Sequence, residues 1–185
     1  MKIAHTARRQ AQGLARLIIV GLTLVGVTGS CSTSRADLEL AYGGPLTVLV
    51  EAQETRAWLL NPEHKGDAPI EPSPAGYPAL AGPAQLDAAL GAELGAILSS
   101  PSSYLAPGIA KACLPRYGVR FEFRGGAGEP PVDVIVCFEC SMLQAYRDGA
   151  HSGTLHFDPV QQRFARAALG AFPSNEALQR LAKDP

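Results

Sequence analysis

The stretch ACLPRYGVRFEFRGGAGEPPVDVIVCFECSMLQAY, Ala112–Tyr146, decides the fold. Within it Val119, Phe121 and Phe123 alternate with Arg120, Glu122 and Arg124. That period of two belongs to a strand with one apolar face. Gly125, Gly126 and Gly128 follow, then Pro130 and Pro131. This is turn chemistry, because glycine supplies positive φ and proline cannot donate to a ladder. Val132–Phe138 is then almost continuously apolar and rich in Val and Ile, which predicts a strand covered on both faces. The two runs and their short link predict an antiparallel hairpin, and Met142–Tyr146 continues as a third strand.

Three of the four cysteines lie in this stretch. Cys113 precedes the hairpin, and Cys137 and Cys140 close its second strand. Three uses are open. The first is a disulfide from Cys113 to Cys137 or Cys140, which leaves one thiol over and contributes about 3 kcal/mol in the chain-entropy model. The second is buried or spare thiols without chemistry. The third is a metal, with zinc the candidate, or a thiol-redox site, in which Cys113 joins the CxxC pair with His151 or His156 as a fourth ligand. A single CxxC is a weak zinc signal. If Cys137–Cys140 is extended, the two Cα atoms lie about 10 Å apart, whereas a direct bond needs about 4.4–6.8 Å. A redox pair therefore requires a turn at Phe138–Glu139, and the absence of a helix start after Cys137 disfavours it. Arg116 is a candidate anion or partner contact, against a structural pairing with backbone carbonyls or Glu139.

The runs KACLPRYGVR (Lys111–Arg120) and VDVIVCFEC (Val132–Cys140) resemble those of a group of uncharacterised bacterial envelope proteins, many of which look like lipoproteins. The similarity extends from about Arg56 to the C-terminus. It implies a shared fold and shared cysteines, and no activity.

Residues 1–30 have the pattern of a targeting segment. Lys2, Arg8, Arg9 and Arg16 form a basic region without an acid, and Leu17–Val27 is an apolar run too short to span a bilayer comfortably. Thr28-Gly29-Ser30-Cys31 resembles the bacterial lipoprotein cleavage box, in which the cysteine is diacylated and becomes the mature N-terminus. Thr28 departs from the usual Leu, which leaves an ordinary secretory cleavage open. The resemblance implies membrane lipid as a partner through acylated Cys31. Ser32 rather than Asp after the cysteine implies the outer membrane, with the body facing the periplasm.

Without residues 1–30 the chain has 155 residues, the length of one domain. It keeps 12 basic against 17 acidic residues, a formal charge of −5 in place of −1. With no basic run, nucleic-acid binding is not expected. Residues 31–44 are small and polar and predict a flexible tether. The body is expected over 45–185. Thr47–Val50 favours a strand whereas Glu51–Arg56 favours a helix, which leaves that half open, and a strand is expected within Thr55–Leu60. The proline-rich 61–84 predicts a long irregular loop with a short extended piece at Tyr77–Leu80. Asp87 caps a helix carrying Leu90, Leu94, Ile97 and Leu98 on one face, with Gly91 and Gly95 allowing close packing against the sheet. Arg147–Gly149 is a turn and Thr154–Phe157 a last strand. Asp158-Pro159 starts another helix, and Ser174 caps a short final one.

No catalytic constellation emerges. Gly149–Gly153 places His151 beside Ser152, one position off a nucleophile elbow. Gly125–Gly128 lacks the Lys-Ser/Thr of a phosphate loop. The carboxylates are scattered. The expected fold is α+β, an antiparallel sheet of four or five strands with two or three helices on one face. The expected function is that of a lipid-anchored envelope protein, a non-catalytic structural or interaction module with an unknown envelope partner and no cofactor. The alternative is a metal-binding or thiol-redox module using Cys113, Cys137 and Cys140.

Overall fold

In the computed structural model, residues 32–61, 76–106, 116, 118–157 and 160–183 are described. The leader, Cys31, Cys113 and the Asp158-Pro159 helix start lie outside them. The architecture is α+β. Six strands, β1 (Glu54–Leu60), β2 (Ala79–Gln85), β3 (Val119–Arg124), β4 (Val132–Cys137), β5 (Met142–Arg147) and β6 (Ala150–His156), form one sheet. Its order is β2-β1-β3-β4-β5-β6, with every pair antiparallel. Five helices are described: α1 (Arg35–Ala41), α2 (Thr47–Val50), α3 (Ala88–Ser99), α4 (Gln161–Ala171) and α5 (Glu176–Lys183). Sheet and helices are each larger than the sequence predicts. None of the described helices is long and apolar enough to cross a membrane.

The expected hairpin is β3–β4, in register with Val119 opposite Val136 and Phe123 opposite Val132. Side chains alternate across a strand. Val119, Phe121 and Phe123 therefore join Val132, Val134 and Val136 on one face, where Leu49, Leu94, Ile97, Phe164 and Leu178 of the helices cover them. The helices thus share one face of the sheet. Asp87 caps α3 as expected, its carboxylate accepting from the Leu90 N–H at 2.8 Å.

Four sequence expectations are corrected. The tether is not a tether. Ser34 and Asp37 form a capping box that starts α1, and Thr33, Leu38 and Tyr42 are buried. The packed body therefore begins at Thr33. Thr47–Val50 is one helical turn rather than a strand, because α2 packs on α3. The Leu49 carbonyl oxygen lies where a side chain at Gly95 would be, so Gly95 serves this helix contact while Gly91 meets Thr55 of the sheet. The extended piece expected at Tyr77–Leu80 overlaps the start of β2, which runs on to Gln85 through the expected loop and pairs with β1. Pro83 is tolerated there because β2 is an edge strand. Finally, Asn175 rather than Ser174 caps α5, its side-chain oxygen accepting from the Leu178 N–H at 3.0 Å.

A buried tyrosine pair ties α1 to the end of α3. The Tyr42 and Tyr104 hydroxyls are 2.7 Å apart, and Tyr104 donates to the Leu98 carbonyl at 2.8 Å. Tyr104 has one proton, so Tyr42 donates to it. Burial pushes both hydroxyls well above the usual tyrosine range. Tyr104→Phe deprives both the Tyr42 hydroxyl and the Leu98 carbonyl of their partners. It should cost about 1–3 kcal/mol in urea unfolding, more than the roughly 0.5–1.5 kcal/mol of Tyr42→Phe, which leaves the bond to Leu98 intact.

Candidate functional site

The face of the sheet away from the helices carries Cys137 and Cys140, and it is not a solvated face. Arg120, Glu122 and Asp133 are buried there. Register explains the arrangement. Pairing Val119 with Val136 puts Glu122 opposite Asp133, and on the other side Glu122 faces Arg56. Two carboxylates directly opposite repel, and Arg120 lies between them. Its Nε donates to Asp133 Oδ1 at 2.6 Å and its Nη2 to Glu122 Oε2 at 3.1 Å. Arg124 donates to the other Glu122 oxygen. The guanidinium of Arg120 also stacks over Trp58, 4.2 Å from the ring centroid. Burial holds the Asp133 carboxyl above its ordinary range, although Arg120 pulls it down.

Beside this ladder lies a second apolar cluster: Trp58, Leu60, Tyr77, Ile135, Cys137, Cys140, Met142 and Tyr146. Trp58 is a core residue of this smaller cluster. Tyr146 donates to Gln144 Oε1 at 2.8 Å and meets the His151 ring edge-on at 5.2 Å.

Between β4 and β5 the chain turns at Phe138–Ser141, with Ser141 N–H donating to the Phe138 carbonyl. Cys137–Cys140 is therefore not extended, yet the two cysteines are not bonded to each other. Cys137 is a free, buried thiol, and its sulfur accepts from the Arg116 N–H at 3.1 Å. Cys140 is disulfide-bonded, to a cysteine outside the described residues. Arg116 is half-exposed, and its guanidinium reaches Glu139 at only 4.0 Å, a solvent-screened contact worth little. Among the described residues no three His, Cys, Asp or Glu side chains come together as a metal would require. His151 sits on Tyr146, and His156 lies opposite Met142 on β5.

The Arg120–Glu122–Asp133 ladder is what sequence reading misses. Its signal is present in the hairpin register, which sets two acids opposite each other. The ladder's acids are each held by a guanidinium, so none has the free geometry of a general base. On the helix side, a groove of about 350 Å3 lies between α1, Leu105–Ala106 and Ser152–His156 of β6. Comparison with protein families, with curated proteins and with solved structures found no match.

Proposed function

We propose that the chain is a lipid-anchored protein of the bacterial cell envelope, exported by residues 1–30, acylated at Cys31, and acting as a non-catalytic structural or interaction module. The observation that carries this reading is the bonded state of Cys140, since disulfides persist in oxidising compartments outside the cytosol. Acylation occupies the Cys31 thiol, so the partner of Cys140 is Cys113. This agrees with the shared-cysteine pattern of the envelope group that Lys111–Arg120 and Val132–Cys140 resemble. Cys137 is then the odd thiol.

The start of the body at Thr33 adds a geometric consequence. The Thr33 hydroxyl donates to the Leu105 carbonyl at 2.8 Å, only two residues after Cys31. Two residues span at most about 7 Å, so the anchor holds α1 and β6 close against the bilayer instead of letting the body swing on a leash. Such a module presents a fixed face to an envelope partner. Ser32 favours the outer membrane. The metal or thiol-redox alternative through Cys113, Cys137 and Cys140 is weaker, because a disulfide-bonded sulfur is not a thiolate ligand and Cys137 is buried from any incoming disulfide.

Metabolic palmitate labelling tests the reading. Label is expected in the full chain and in the membrane fraction, and none in Cys31→Ala. Equal labelling of Cys31→Ala, or an uncleaved chain in the cytosol, would end it.

A further inference from the structure

The groove between α1 and β6 has an occupant in reach. We propose that it seats an acyl chain carried by Cys31, an inference that rests on the acylation proposed above. Thr33 lines the groove, and Cys31 is two residues upstream of it. Leu40, Leu105 and Leu155 supply apolar walls. The floor is close-packed, because Gly153 lets the Ala41 backbone approach to where a side chain would stand, 2.7 Å from its Cα. Leu40 is 78% exposed at the rim, where an acyl chain leaving Cys31 could cover it.

Much of the polar lining is already committed within the fold. The Thr33 hydroxyl is committed to Leu105, and the Asp37 carboxylate to the α1 cap. Thr154 faces His151 at 3.4 Å. The Ser152 hydroxyl, in contrast, is buried and has no hydrogen-bond partner, a state that is rare in native structures. Gly43 packs beside the Ser152 side chain and covers its oxygen, so that hydroxyl is not a contact for the occupant. Asp37, on the same wall, disfavours an anionic fatty acid or phosphate headgroup.

The test compares two forms of the full mature chain in the same detergent. One is the membrane-purified protein, its acylation established by the mass of the N-terminal peptide. The other is Cys31→Ser exported behind an ordinary secretory leader. Hydrogen exchange in α1 and in Ser152–His156 is expected to be several-fold slower in the acylated form. Leu40→Glu, at an exposed position that folding does not depend on, should abolish the difference. Equal exchange in a chain proven acylated overturns the proposal while leaving the anchoring reading intact. Equal protection of the unacylated chain by detergent alone also overturns it, because the groove would then take any amphiphile. Absence of the acyl mass removes the anchoring reading and this inference together.

Discussion

Arg120→Met is expected to destabilise the protein by about 3–5 kcal/mol at neutral pH, the cost of leaving a buried charge uncompensated. Arg120 is the cation held by Asp133, whose side chain is 5% exposed, and it shares Glu122 with Arg124. Glu122 keeps a partner in the variant and Asp133 does not. The pH dependence identifies the cause. Burial already raises the Asp133 carboxyl above 3.8, with Arg120 opposing, and removing Arg120 raises it further. A carboxyl whose folded pKa lies above its unfolded value binds more protons in the native state. Its contribution to stability is therefore present below the unfolded pKa and falls as pH rises through the folded one. The penalty of Arg120→Met should be small near pH 3 and grow toward neutrality, as measured by urea unfolding across that range. Arg120→Met combined with Asp133→Leu should recover most of the loss, since apolar replacement of a whole buried pair is often neutral. A cost below about 1 kcal/mol with no pH dependence would mean that water reaches the ladder.

The ladder also marks where sequence reading stops. The hairpin was legible because its helix-side residues, Val119, Phe121 and Phe123, follow the period of a strand and its partner strand is apolar throughout. The charged side of the same strand reads as solvated by every local rule. Its burial follows from tertiary packing, with Trp58 over Arg120, and sequence-distant neighbours leave no mark in a short window. Thr47–Val50 shows the same override in reverse. Its β-branched residues favour a strand, and a helix forms because Val48 and Leu49 find α3 and the space at Gly95. The α1 capping box, Ser34 with Asp37, was readable, but a small polar stretch beside a cleavage box masked it. Pro83 pointed to a loop, yet an edge strand has no second neighbour for proline to disappoint. Asp87 was read correctly because capping is local. Of the candidate site, the cysteines were legible as a group. Which of them is bonded was not, since the turn at Phe138–Ser141 decides it and no spacing rule sets that turn.

That turn makes the two cysteines of the CxxC unequal, and substitution should expose it. Cys140→Ala removes a disulfide and is expected to cost about 2–5 kcal/mol. Cys137→Ala removes one buried sulfur and should cost only about 1 kcal/mol, in the range of ordinary single substitutions. The same urea experiment repeated with reductant separates the causes. Wild type and Cys137→Ala should both weaken toward the level of Cys140→Ala, and Cys140→Ala itself should not respond. Thiol counting on the denatured, acylated chain closes the argument, with one reactive thiol before reduction and three after. A metal site would behave otherwise. Both substitutions would then cost alike, a chelator would reproduce the loss, and reductant would do nothing. Equal and chelator-sensitive losses would therefore replace the structural disulfide with a thiolate centre, and the oxidising compartment inferred from Cys140 would lose its support.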